Sequence, residues 1–450
     1  MSIFTTCPVL HDLAARLFPL RRSLTGNGVR ATLAVLTERL PSLVQHEVTT
    51  GTPVLDWTVP DEWNWRAAWI ADEQGRRLVD ADVHGLHLMG YSVPVRRRMA
   101  WPALKSHLHT IPDQPDRIPY RTAYYADTWG FCLRHRTFLD LDRRGEDAIY
   151  EVCIDATRGP GALTYGEVVL PGASDETVLI SAHVCHPMLA NDNLSGVVVA
   201  AAVAEQLAKR GARRYTYRFV WAPGTVGAIT WLAENEEVVP TIRHGLILAN
   251  LGDAGGFTYK QSRPGTFNDA PAEVDRAVGV ALRDAGERPD VRPFTPYGYD
   301  ERQYGSTGFD LPIGCFTRTP YGEYPEYHTS ADDLTLISEA QLQDAVARLV
   351  DVIDVLEANR HLRARVPHGE PQLGRRGLYR ALGGHPNAPT QQMAMLWTLN
   401  MAAPDETARF DLIAVAERSG LPFAAIREAA DLLEEHGLVE RLRSERTRRF

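Results

Sequence analysis

Residues 181–210 read SAHVCHPMLANDNLSGVVVAAAVAEQLAKR. The apolar run TVLISAHV that leads into them has the length and β-branched content of a buried strand, and it delivers His183 at its end. LSGVVVAAAVAEQLAKRG then reads as a helix that stops at Gly211. Between them the loop ANDNLSG holds Asp192 just ahead of Ser195 and Gly196 in the first helical turn. A strand-end imidazole and a loop carboxylate make a start on a zinc site, whose N and O ligands converge from different elements. The same residues suit a histidine that closes a strand and an aspartate that caps a helix, and the stretch alone does not choose between the two.

The strand–helix rhythm continues outward. YTYRFVWAP, GLILANLGD and LPIGCFTRTP read as strands, AITWLAENE opens a helix, and SEAQLQDAVARLVDVIDVLEANRHL is a long closing helix. This alternation, from about Tyr120 to Leu356, predicts an α/β domain with a mostly parallel mixed sheet flanked by helices. Active residues then belong at the C-terminal ends of the strands. Upstream, Leu10, Leu13 and Leu17, then Val29, Leu33, Leu36 and Leu40, recur at helical spacing on either side of SLTGNG. Short alternating runs from VLDWTVPDEWNW onward suggest a β-rich unit, left through the Pro- and Asp-rich HTIPDQPDRIPY. Downstream of a Gly- and Pro-rich stretch, Met393, Leu396, Trp397 and Met401 form one helical stripe. Leu412, Val415 and Ala416 form a second, and Ile426, Ala430 and Leu433 a third; the short strand LVERL follows. Three helices and a strand in this order predict a winged helix. The boundaries expected are a helical start over 1–50, a β-rich insert over 51–120, the α/β domain over 121–365, a linker over 366–385 and the winged helix over 386–450.

A chain of 450 residues supports two or three domains. It contains no apolar run of about 18 residues, so no membrane span is expected. The N-terminus lacks the pattern of a secretory signal, and five scattered cysteines with no CxxC fit a reducing compartment, so the expected location is the cytoplasm. Net charge is −9, which leaves no overall nucleic-acid footprint. The third helix of the winged unit carries Glu428, Asp431, Glu434 and Glu435 against Arg427, and arginines cluster instead in the tail RLRSERTRRF. The module is therefore expected to pack against protein or form a homo-oligomer, not to read DNA.

Two further segments bear on His183 and Asp192. LANLGDAGGF brings Asp253 to another strand end, and EYPEYHTSADDLTLIS places His328 before the last helix, with Asp332 and Asp333 close behind. The order of His183, Asp192 within D-N-x-S-G, Asp253 and the YHT of His328 resembles the co-catalytic zinc aminopeptidases of the bacterial leucine aminopeptidase type. More closely, the chain resembles a group of bacterial aminopeptidase-like proteins often encoded with polysaccharide or secondary-metabolite genes. The shared marks include RSLTGNGVR, DWTVPDEWN, CHPMLANDNLSG, PGTVGAITWL, DERQYGSTGFDLP and RTPYGEYPEYHTSADDL, spread over almost the whole chain. The resemblance implies a zinc exopeptidase-like fold with a β-rich insert and a C-terminal winged helix. It also implies a zinc-dependent amide hydrolase, an aminopeptidase or amidase acting on a small peptide-like or aminoacylated metabolite. Carried over, His183, Asp192 and Asp253 would bind one zinc, with Asp192 bridging to a second on His328.

The departures from that pattern are local. The two adjacent glutamates of the leucine aminopeptidases fall on Gly224 and Thr225, and the usual H-x-D becomes His183-Val184-Cys185. One tightly bound zinc is then expected, with a second held only if Glu326 or another acid swings in. In an extended loop Glu326 would face the same way as His328 and serve as general base. Glu301 is the second candidate catalytic acid, and Asp300, Arg302 and Tyr327 are candidates for holding substrate. The plain reading of the acids is solvated loop charge, or pairing with Arg302 and Arg318. Three rival functions stay open at this level: a thiol enzyme built on Cys185 with His186 or His183, a non-catalytic ligand-binding or scaffold protein, and a ligand-sensing transcription regulator.

Overall fold

Thr177–His183 is a strand in which every residue is buried. In the computed structural model, which describes residues 9–268, 270–378, 388–405 and 410–442, it lies within an eight-stranded sheet. The strand order is Val44–Thr49, Ala162–Leu170, Thr216–Ala222, Thr177–His183, Ile242–Leu248, Ile313–Thr317, Thr258–Lys260 and Asp290–Arg292. The four strands from Thr216–Ala222 to Ile313–Thr317 run parallel, and antiparallel strands close both flanks of this core. The sheet is therefore mixed, as the alternation predicts. Gly196–Lys209, apolar nearly all round and buried, packs on the strands Thr177–His183 and Ile242–Leu248. The register sets His183 beside Ala222, so the segments that leave these strands emerge together at the C-terminal edge.

Three readings shift. Val44–Thr49, inside the expected helical start, is an edge strand antiparallel to Ala162–Leu170. The insert's sheet orders Arg77–Asp80, Glu62–Ala71, Ile149–Gly159 and Val95–Ala100, so one central strand comes from well past residue 120. Glu62–Ala71 would otherwise leave a long row of backbone groups unpaired. The supposed linker HTIPDQPDRIPY is a structural clamp. Pro119 bridges Thr329, Tyr120 N–H donates to the His328 carbonyl at 2.8 Å, and Ser330 N–H donates to the Ile118 carbonyl at 2.8 Å.

The chain divides into two compact units. One comprises residues 1–270 and 290–347, and the other residues 271–289 and 348–450. In the second, Ala388–Met401, Leu412–Ser419 and Phe423–Glu435 are helices, and Val439–Arg441 pairs antiparallel with Leu362–Ala364. The closing helix of the sequence reading stops at Ala358, and Leu362, expected as its last residue, opens the partner strand of this wing instead. The expected linker lies outside the described residues from 379 onward, as does the basic tail from 443. Two of the third helix's acids are answered locally, since Arg360 bonds Asp431 at 2.5 Å and Glu434 at 2.6 Å. Among the described residues no helix is long and apolar enough to cross a membrane.

Asp411 caps the second winged-helix helix by accepting from Ala414 N–H at 2.7 Å, and Arg276 grips it with two bonds of 2.9 and 3.0 Å. Burial alone would raise the Asp411 carboxyl. The Arg276 guanidinium outweighs it and holds the group below its ordinary range. Arg276→Ala leaves that buried carboxylate unpaired and is expected to lower stability by about 2–4 kcal/mol at neutral pH. A depressed carboxyl contributes stability above its unfolded pKa of about 4 and loses it as pH falls below that value. In urea titrations the gap between Arg276→Ala and the parent should therefore narrow below about pH 4. A gap unchanged down to pH 2 would mean the pair contributes nothing electrostatic.

Candidate metal site

Asp192 is fully buried, and three imidazoles converge on its carboxylate. His183 Nε2 lies 2.9 Å from Oδ1, His328 Nε2 2.9 Å from Oδ2, and His186 Nε2 3.9 Å from Oδ2. Candidate ligand atoms of His183, His186 and Asp192 all lie within 4.8 Å of one another. His183 ends its strand, His186 follows three residues later, and His328 arrives from the turn gripped by residues 118–120. Asp192 is set by its own backbone. The N–H groups of Ala190, Asn191 and Asp192 donate to the buried Asp332 carboxylate at 3.1, 2.6 and 3.0 Å. Asn193 ties the same loop to the neighbouring strand end through the Leu248 carbonyl at 2.9 Å.

The electrostatics follow from burial opposed by close charge. Burial works against an ionised Asp192, but His186, His183 and His328 outweigh it and hold the carboxyl well below the usual range. Burial drives His186 down to about 3, which leaves that ring neutral with a lone pair to donate. His183, His186 and Asp192 offer two imidazole nitrogens and a carboxylate oxygen close enough to share one zinc, so these residues fit the metal implied by the resemblance, and His328 sits beside the same carboxylate.

The group faces a cavity of about 240 Å³. Six tyrosines line it: Tyr120, Tyr124, Tyr297, Tyr299, Tyr321 and Tyr327. Tyr327 stacks on His328 with ring centroids 4.0 Å apart, and Tyr299 stacks on His183 at 5.3 Å. Tyr120 meets both His186 and His328 at 5.1 Å. The stacked rings fix the imidazole planes. Among the described residues Asp192 and Asp300 are the lining carboxylates, and no lysine or arginine lines the cavity. Such a wall suits a neutral or cationic group.

Of the residues singled out from the sequence, His183, Asp192, His328, Asp300 and Tyr327 meet at this cavity. Asp253 does not join the cluster. Its oxygens are taken by Asn191 Nδ2 at 2.9 Å, Gly255 N–H at 2.8 Å and Thr319 Oγ1 at 2.6 Å. The residue that reaches the site from that strand end is Asn250, which donates to Tyr299 Oη at 2.7 Å. Glu301 is buried against Lys260 at 2.7 Å and does not line the cavity. Glu326 pairs with Arg117 at 3.1 Å. The extended loop assumed for Glu326 is a run of turns, with Tyr327 N–H bonded to the Tyr324 carbonyl, Thr329 N–H to the Glu326 carbonyl, and His328 at φ 53°. Residues 326 and 328 therefore do not share a face. Arg302 reaches Thr225 Oγ1 at 3.4 Å and stays out of the lining.

Sequence reasoning considers His186 only as a partner for Cys185 and misses it as a candidate ligand, although its spacing of three from a strand-end histidine is in plain view. Cys185 is buried, and burial pushes its thiol up to about 12, which withholds the thiolate that a nucleophile needs. Asp332 was noted only as half of an acidic pair, and its grip on the 190–192 backbone has no local sequence signal.

Residues 11–359 match the family described as Domain of unknown function (DUF4910), and residues 360–441 match the winged helix-turn-helix family. A Clostridium acetobutylicum protein, named as a candidate polysaccharide biosynthesis protein with an aminopeptidase-like domain, is 42% identical over 424 residues, 94% of either chain. The crystal structure of a candidate peptidase from C. acetobutylicum superposes with a TM-score of 0.87 at 40% identity, covering 96% of both chains. A zinc aminopeptidase from Bacillus subtilis superposes with a TM-score of 0.56 at 13% identity, over 77% of this chain and 94% of that one. An M28 peptidase precursor from Shewanella amazonensis gives 0.56 at 14%, over 78% and 93%. At these identities the last two speak to the fold, which is the aminopeptidase-like one of M28 peptidases, here followed by a winged helix.

Proposed function

The chain belongs to the DUF4910 family, and from that premise we propose that it is a zinc-dependent hydrolase of an amide bond, aminopeptidase- or amidase-like, acting on a small peptide-like or aminoacylated substrate. The observation that carries this reading is the convergence of His183, His186 and His328 on the buried Asp192 at the floor of a tyrosine-lined cavity. His183, His186 and Asp192 would hold one ion, with His328 bonded to the Asp192 carboxylate beside it. Zinc in such a site polarises a carbonyl and lowers the pKa of a bound water to roughly 7. Tyr299 and Tyr327 keep two of the imidazoles in plane, Asp332 keeps the carboxylate in place, and the aromatic wall with its acids accepts an amine-bearing substrate.

The engagement of Glu301 and Glu326 in ion pairs favours a second reading, a ligand-binding protein without turnover. The two part on experiment. Full-length protein should bind about one equivalent of zinc, and zinc at a hundred times its Kd should stabilise it by about 2.7 kcal/mol. It should hydrolyse members of a panel of aminoacyl para-nitroanilides, and lose that activity on chelation and in His183→Ala. Zinc binding with no hydrolysis in any member of the panel would favour the binding protein. No zinc uptake and no thermal shift would sink both.

A further inference from the structure

Hydrolysis of an amide needs a group that takes a proton from water and returns it to the departing nitrogen. Two carboxylates line the cavity. Asp192 is engaged by three imidazoles and belongs to the metal cradle. Glu301 and Glu326 are turned into ion pairs elsewhere. That leaves Asp300.

Its setting differs from that of every other acid near the site. Asp300 is buried and lines the same cavity wall as His183, Gly224 and Thr225. Among the described residues its carboxylate accepts one hydrogen bond, from Thr225 N–H to Oδ1 at 2.7 Å, and enters no ion pair. Thr225 sits at φ 63°, a left-handed conformation that a β-branched residue rarely adopts, and directly precedes the helix Val226–Glu234. That conformation presents the Thr225 N–H to Asp300. The neighbouring Gly224 accepts a side chain beside the metal cradle, since a Cβ there would meet His183 Cβ at 3.6 Å and Cys185 Sγ at 3.5 Å in ordinary van der Waals contact.

We propose that Asp300 is the catalytic proton acceptor of this cavity, one oxygen fixed by the Thr225 amide and the other free to face water and substrate. The proposal rests on the amide-hydrolase reading of the same site. As the water oxygen bonds to the amide carbonyl carbon, one water proton passes to Asp300. The C–N bond then breaks, and Asp300 returns that proton to the departing nitrogen. Amide and water become carboxylic acid and amine, with no oxidant or further reactant.

Asp300→Asn keeps the acceptor for Thr225 N–H and removes the base. In the zinc-loaded full-length chain, kcat on the para-nitroanilide that the parent cleaves best should fall by about 100- to 10,000-fold. KM should change little, and the zinc Kd, from equilibrium dialysis, should stay within about threefold of the parent's, because Asp300 is not a ligand. Two further variants guard against a folding artefact. Adding Gly224→Glu to Asp300→Asn places a carboxylate in the space beside His183 and should recover at least tenfold in kcat. Asp300→Ala should regain activity with added formate. If Asp300 only held a substrate ammonium, Asp300→Asn would raise KM and spare kcat, which overturns the proposal. So does a variant that loses its zinc together with its activity, or one whose kcat stays within tenfold of an active parent. A parent chain that cleaves no amide overturns the hydrolase reading and this proposal together, whereas an active parent with an active Asp300→Asn overturns this one alone.

Discussion

Asp192→Ala is expected to abolish zinc retention and amide hydrolysis together. The three imidazoles are arranged by this one carboxylate, with His183 and His328 each 2.9 Å from one of its oxygens. Without it, His183, His186 and His328 remain with no anion among them to offset a divalent charge. Loss of a residue that merely orients a ligand costs roughly 10- to 100-fold in metal affinity, so loss of the shared carboxylate should exceed about 100-fold. Folding of the metal-free chain should change much less, because removing Asp192 also removes a buried charge. The diagnostic result is a melting curve that added zinc no longer moves, beside a near-parental curve without zinc. Tight zinc binding by Asp192→Ala would show that Asp192 is not a ligand on which the ion depends, and the proposed site would be wrong.

Asp332→Ala should be the most destabilising single change near the site. The Asp332 carboxylate accepts three backbone N–H groups, from Ala190, Asn191 and Asp192, all in the buried segment that carries the Asp192 carboxylate. Ala190 N–H keeps the Asp332 backbone carbonyl at 3.0 Å, so alanine orphans the Asn191 and Asp192 N–H groups. An unsatisfied buried N–H costs about 1–3 kcal/mol, so the pair would cost about 2–6 kcal/mol. Part of that is offset. Burial pushes the Asp332 carboxyl up to about 7 against the pull of those N–H groups, so an ionised Asp332 already carries a desolvation cost that alanine removes. The net loss expected from urea unfolding is about 2–4 kcal/mol, with weaker zinc binding because the Asp192 backbone is no longer fixed. Asp332→Asn, which keeps one acceptor oxygen, should fall between. A change below about 1 kcal/mol would show that water or a shifted loop satisfies the two amides, and that the Asp332 side chain positions nothing.

The sequence by itself determined the elements and the first members of the site. Buried strands such as TVLISAHV and the all-apolar VVVAAAV helix are legible because burial on both faces leaves only one kind of residue along the chain. A parallel strand then carries whatever polar residue follows it to the C-terminal edge, and that is why His183, and the loop with Asp192, were found. His328 came through the resemblance of its YHT context to the zinc aminopeptidases. Where a choice hung on the course of an irregular segment, sequence spacing misled. Asp253 follows its strand as the pattern asks, but the turn hands it to Asn191 and Thr319 and brings Asn250 to the edge. Glu326 would share a face with His328 only in extended chain, and the left-handed His328 breaks that relation. Tertiary structure alone decided that His186 joins the cluster, that Asp332 holds the loop from some 140 residues away, and that Asp300 is the carboxylate left facing the cavity. Each of these depends on a backbone turn or a long-range contact whose energy is set by partners distant in the chain, so no local pattern of residue types encodes it.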